Sequence, residues 1–282
     1  MCDDEIHQFN APAMSRRVFT LSAAALAVMG VPPAFADDDV VSKDVTVKTP
    51  DGEADAVLFY PAKGKHPAVL IWTDVFGLRP VFRDMGRRLA AQGYVVLVPN
   101  PFYRSMKATT EPDYSAPDVP KKYFPMMATL TSATTMADGP AFIAFLDAQP
   151  QTDTTKKAGV QGYCMGGPLT FRTAAAVPNR IGGAATFHGA ALVTDQPDSP
   201  HLLVPKTTAQ FYCGVATNDD NKQPDAKDKL KAAFAAVSRP ATVEVYDGCN
   251  HGWCVKGSAV YNEAGAEKAW AELSALYQRT LV

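Results

Sequence analysis

Gly162 to Gly167 read Gly-Tyr-Cys-Met-Gly-Gly and follow the run Ala-Gly-Val-Gln. A cysteine set between glycines where an apolar run ends is a candidate nucleophile. The glycines let the chain turn tightly, and the central side chain stands clear of the backbone. A helix that starts just after Cys164 directs its positive end at the sulfur and favours the reactive thiolate. Such a nucleophile needs a base, and the base needs an orienting acid. Downstream, Thr217-Asn218-Asp219-Asp220-Asn221 follows one apolar run and Cys249-Asn250-His251-Gly252-Trp253 follows the next. His251 is then the candidate base, and Asp219 and Asp220 are both candidate acids. Among the other histidines, His66 precedes its strand and His201 sits in a proline-flanked loop, whereas His188 closes a strand and is a candidate supporting or substrate-contacting residue. A buried structural thiol is the plain alternative for Cys164. Cys249, His251 and Cys254 make a second grouping of zinc-type ligands, with no further cluster in the sequence to complete a site.

The elements that must position these residues are legible as alternating patterns. Period-two apolar residues on either side of Pro50-Asp51-Gly52 predict an opening hairpin. The run Pro-Ala-Val-Leu-Ile-Trp-Thr-Asp from Pro67 suits a strand buried on both faces. Phe82, Met85 and Leu89 predict a helix ended by Gly93, and Tyr-Val-Val-Leu-Val-Pro-Asn from Tyr94 predicts the next strand. Helices over about 133–148, 167–176, 226–237 and 266–276 alternate with strands in 158–163, 181–189, 207–215 and 241–247. Strands alternating with helices predict an α/β fold, a largely parallel sheet covered on both faces, whose ligands bind beyond the carboxyl ends of the strands. Residues 104–122, rich in Pro, Asp, Ser and Thr, read as an irregular insertion suited to a lid or a pocket wall.

Nucleophile, acid and histidine, each after a successive strand, follow the order of the α/β-hydrolase fold. The stretches Gly-Tyr-Cys-Met-Gly-Gly, Ala-Thr-Asn-Asp-Asp and His251 through Trp270 resemble the dienelactone hydrolase family, from about Val45 to the C-terminus. The resemblance implies a Cys164, Asp219, His251 triad, with Asp219 favoured over Asp220. It implies that Asp74, where the family has glutamate, holds the resting thiol in check, and that the N–H groups of Val75 and Met165 form the oxyanion hole. The implied reaction is hydrolysis of a small-molecule ester or lactone through a thioester, without metal or organic cofactor. One departure bears on the substrate. After His251 the nearest cation is Lys256, and the insertion offers Lys121 and Lys122 rather than arginine, while Phe76, Tyr103, Phe187 and Trp253 are candidates to line an apolar pocket. Neutral or weakly polar esters and lactones are therefore expected over carboxylate-bearing ones.

The first 36 residues read as an export signal. Arg16-Arg17 precedes a short apolar stretch and the small-x-small site Ala34-Phe35-Ala36, an order that resembles a twin-arginine signal. Export to the bacterial periplasm through the twin-arginine machinery is expected, leaving residues 37–282 as one domain without stable membrane insertion. A net charge of −2 offers no basic field for nucleic acid. Five cysteines are too few and too scattered for a disulfide framework, although an oxidising compartment would permit a Cys249–Cys254 bridge. Two alternatives to an enzyme remain at this point: a non-catalytic exported ligand-binding protein on the same fold, and a thiol or metal protein built on Cys249, His251 and Cys254.

Overall fold

The computed structural model describes residues 39–108 and 119–281. The expected export signal, its cleavage site and most of the insertion lie outside the described residues. The sheet has eight strands: β1 (Val40–Thr49), β2 (Gly52–Pro61), β3 (Ala68–Trp72), β4 (Val95–Pro99), β5 (Ala158–Tyr163), β6 (Ile181–Phe187), β7 (Gln210–Ala216) and β8 (Ala241–Tyr246). Their spatial order is β1-β2-β4-β3-β5-β6-β7-β8. The hairpin β1–β2 is antiparallel, with Val40 opposite Pro61 and Thr49 opposite Gly52, and β2 is also antiparallel to β4. Every pairing from β4 across to β8 is parallel.

Seven α-helices are described: α1 (Pro80–Ala91), α2 (Val119–Ala128), α3 (Ser132–Asp147), α4 (Gly166–Ala176), α5 (Thr217–Lys222), α6 (Ala226–Ala236) and α7 (Glu263–Thr280). Alternation along the central strands explains why both faces need cover. Leu70 and Trp72 of β3 join the core beneath α3, α4 and α6, where Phe142, Phe171 and Phe234 pack. Val69 and Ile71 join the opposite core with Phe82 of α1 and Leu273 and Tyr277 of α7. The strands are apolar on both sides, as the sequence predicts.

Helix boundaries follow local chemistry. Pro80 supplies the fixed φ suited to a first helical position of α1, and Gly93, at φ 93°, takes the left-handed turn after it. Asn262 caps α7 by accepting from the N–H of Gly265 at 2.9 Å, so that helix begins three residues earlier than its apolar spacing suggests. The sequence reading needs two corrections. The end of the insertion is helical from Val119, not irregular. Asp219 and Asp220 stand in the short helix α5 rather than in a loop.

Candidate active site

Cys164 sits between β5 and α4 at φ 50°, a left-handed conformation that non-glycine residues adopt rarely and at a cost. The surrounding glycines are required by space. A Cβ on Gly162 would lie 2.1 Å from the carbonyl oxygen of Gly166, and one on Gly166 would lie 2.6 Å from that of Trp72. The turn is pinned from outside. The N–H of Cys164 donates to Phe187 O at 3.2 Å, and Cys164 O accepts from the N–H groups of Gly167 and Ala190 at 2.9 and 3.0 Å. The sulfur thus stands at the amino end of α4, where the helix dipole favours an anion.

The candidate base arrives from the loop after β8. His251 is buried, and its Nδ1 lies 2.6 Å from Asp219 Oδ2. Its backbone N–H donates to Asn218 Oδ1 at 2.8 Å, and the N–H of Thr217 donates to Cys249 O at 2.9 Å, so α5 and the histidine loop are tied at three points. Asn218 passes unnoticed in the sequence; its place one residue before the acid is the signal that could have marked it. Asp220 faces away to Lys227, whose Nζ donates to its Oδ1 at 2.7 Å. Cys164, Met165, Asp219 and His251 line one cavity of about 460 Å³.

His188 packs against His251. It is buried at φ 42°, its ring lies 4.9 Å from the His251 ring in an edge-on arrangement, and the Trp253 ring lies 5.1 Å away. Neither ring nitrogen has a hydrogen-bond partner among the described residues. Burial, reinforced by His251, holds its pKa well below the usual histidine range, so the ring is neutral. It does not line the cavity.

The loop after β3 is fixed by a buried ion pair. Arg79 Nη1 and Nη2 reach Asp74 Oδ1 and Oδ2 at 2.5 and 2.7 Å, and Phe76 N donates to Oδ1 at 3.0 Å. Asp74, which the resemblance implies as a check on the thiol, thus has both carboxylate oxygens engaged by Arg79. The pair braces the loop that carries Val75, next to the Trp72 and Thr73 carbonyls against which the Cys164 turn packs.

The expected apolar wall is a different set of residues. Phe76 packs edge-on against Tyr123, with ring centroids 5.6 Å apart. The Tyr103 hydroxyl donates to Asp138 Oδ1 at 2.7 Å and accepts from Thr49. Trp253 stacks on Tyr246, and Phe187 borders a second cavity with Lys256. None of the four borders the Cys164 cavity, and neither do Lys121, Lys122 or Lys256. Its walls come instead from α4, from 189–200, from α6 and from Met127 and Leu130, and its cations are Arg172, Lys222 and Lys227.

The remaining thiols are buried and held toward the protonated form. Cys213, Cys249 and Cys254 are free and buried, so the Cys249–Cys254 bridge is not formed. Burial pushes the Cys213 thiol up to about 12 and raises those of Cys249 and Cys254. Among the described residues no three His, Cys, Asp or Glu side chains gather as a metal-binding group, so Cys249, His251 and Cys254 do not converge.

With this geometry in view, comparison with known proteins is informative. A model of the dienelactone hydrolase family matches residues 54–281. A carboxymethylenebutenolidase of Rhodococcus opacus is 26% identical over 225 residues, covering 77% of this chain and 83% of its own length. A Methylorubrum extorquens protein that carries that name provisionally is 26% identical over 274 residues, covering 92% of this chain and 91% of its own. A Klebsiella pneumoniae structure, provisionally named a dienelactone hydrolase, superposes with a TM-score of 0.74 at 21% identity, over 85% of this chain and 99% of that one. At that identity the likeness speaks to the fold, which is the α/β-hydrolase fold expected from the sequence.

Proposed function

The chain belongs to the dienelactone hydrolase family, and from that premise we propose that it hydrolyses carboxylic esters or lactones by acyl transfer to Cys164. His251, oriented through Nδ1 by Asp219, takes the thiol proton. The thiolate attacks the carbonyl carbon, and the N–H groups of Val75 and Met165 receive the developing oxyanion, each such donor contributing about 3 kcal/mol in comparable sites. The C–O bond breaks, and the leaving alcohol takes its proton from His251. Water, deprotonated by His251, then attacks the thioester carbonyl, releasing the acid and returning the proton to sulfur. His251 keeps its tautomer throughout because Asp219 holds Nδ1–H.

The observation that carries this reading is the 2.6 Å contact between Asp219 and His251 in the same cavity as a cysteine held at positive φ. Stopped-flow hydrolysis of p-nitrophenyl acetate should give a burst of nitrophenolate. Mass spectrometry of the acid-quenched enzyme should find the acetyl group on Cys164. A burst-free reaction with the acetyl group on another residue, or on none, would remove Cys164 from the mechanism.

Export to the periplasm forms part of the same proposal and rests on Arg16-Arg17 and Ala34-Phe35-Ala36. N-terminal sequencing of the chain from fractionated cells should find Asp37 first, outside the cytoplasm.

A further inference from the structure

The cavity that holds Cys164 exceeds what attack on one carbonyl requires, and one wall ends in a charge. Met165, Pro168, Leu169 and Arg172 of the elbow and α4 border it, positions that follow one helical face. Leu130 and Leu192 close it from neighbouring segments. The Arg172 side chain is only 12% exposed, yet its donors are poorly matched. Nη1 donates to Leu130 O at 3.0 Å and, at a long 3.4 Å, to Thr135 Oγ1. Nη2 stands 3.8 Å from Asp198 Oδ2, beyond hydrogen-bonding reach, whereas Nε is enclosed by protein and out of a ligand's reach.

A guanidinium offers five N–H donors, and buried donors are normally satisfied. Nη2 of Arg172 therefore marks a place for an acceptor brought in by a ligand. Asp198 already sets a negative charge beside it, which repels a substrate carboxylate far more than an uncharged oxygen. Reach follows from the helix. Eight residues from Cys164 to Arg172 span about 12 Å at the α-helical rise. The arginine side chain leans back toward the helix amino terminus and shortens that gap.

We propose that this cavity takes a medium-length acyl chain, roughly five to eight carbons at about 1.2 Å per bond, bearing an uncharged ketone or hydroxyl oxygen near its far end that Arg172 binds. The proposal rests on the ester-hydrolase reading and specifies its substrate class. The apolar walls hold the chain, and Arg172 selects its terminus.

Four p-nitrophenyl esters test it: acetate, heptanoate, heptanoate with a ketone at the penultimate carbon, and the monoester of heptanedioic acid. For the wild-type chain, kcat/KM should rise from acetate to heptanoate, by up to about fourfold for each methylene buried. The oxo ester should exceed heptanoate by about tenfold, the size expected for a hydrogen bond to a charged group. The dicarboxylic monoester should fall below the oxo ester. In Arg172→Met the ratio of oxo ester to heptanoate should fall to near one, and Arg172→Lys should restore part of it. If no ester is hydrolysed, the hydrolase reading itself fails. The substrate assignment alone fails if acetate matches heptanoate, if the dicarboxylic monoester is the best of the four, or if the oxo advantage survives Arg172→Met. Each comparison is a ratio within one preparation, so the wild-type series decides even if a variant folds poorly.

Discussion

Asp219 Oδ2 lies 2.6 Å from His251 Nδ1, while the adjacent Asp220 is turned to Lys227 at 2.7 Å. Two neighbouring carboxylates of identical chemistry thus engage different partners, set by their directions from the short helix α5. Asp219→Asn should keep the fold yet lower kcat by about three to four orders of magnitude, because an amide no longer fixes the tautomer or stabilises the imidazolium. Asp220→Asn loses a partly exposed ion pair with Lys227 and should leave kcat within about twofold, such pairs contributing about 0–1 kcal/mol to stability. Steady-state kinetics on both variants check the assignment. Equal losses would place the orienting acid elsewhere.

Reactivity should be confined to one of the four described thiols. Cys164 stands at a helix amino end, while burial raises the pKa of Cys213, Cys249 and Cys254. Iodoacetamide at neutral pH should therefore alkylate Cys164 first and abolish ester hydrolysis in step with labelling. Cys164→Ala should be inactive, and Cys213→Ala, Cys249→Ala and Cys254→Ala should retain turnover. Peptide mapping after partial alkylation distinguishes this from activity loss through another cysteine.

What was legible in the sequence was the placement of the candidate site residues at strand ends. Cys164, Asp219 and His251 each follow a continuous apolar run, and the glycines beside Cys164 have no other purpose as economical as the tight turn. The cavity walls were not legible, because they come from segments far apart in the chain and their pattern exists only after packing. Arg172 lies in Pro-Leu-Thr-Phe-Arg-Thr, which reads as an ordinary helical surface until α4 is set beside Leu130 and Asp198. The aromatic residues expected at the wall failed for a physical reason. Trp253 and Phe187 are large apolar side chains near strand ends, and the core claimed them first. Helix α2 was hidden by Pro120 and Pro125 within it, since proline ordinarily argues against helix.

The buried His188 should make stability depend on pH in the mildly acidic range. Its folded pKa is depressed, whereas the unfolded chain takes up a proton near the ordinary value of about 6.5. Below that value the unfolded state binds more protons, so stability falls as pH falls, by at most about 1.4 kcal/mol per unit for this one group. His201 is depressed in the same direction and adds to the slope. His188→Phe keeps the ring volume and removes the titration, so its stability should decline less between pH 7 and pH 5. Urea unfolding of both proteins at the two pH values measures the difference. Parallel declines would show that His188 is protonated in the folded chain or titrates alike in both states.

The Asp74–Arg79 pair should be strongly coupled in stability, because both side chains are almost fully buried, at 4% and 3% exposure. Removing one partner strands a charge in a low-dielectric interior, which costs about 3–5 kcal/mol in comparable buried pairs. Arg79→Met and Asp74→Asn should each lose an amount of that order. The double variant should lose clearly less than the sum of the two, since neither charge is left alone. The two carboxylate contacts also brace the loop bearing Val75, so single variants that still fold should lose kcat more than they raise KM, the expected mark of a misplaced oxyanion donor. Urea titrations of the four proteins, with ester kinetics on those that fold, supply both readouts. Strictly additive stability losses would mean that the pair contributes no coupling. An unchanged kcat would separate the brace from the proposed Val75 donor.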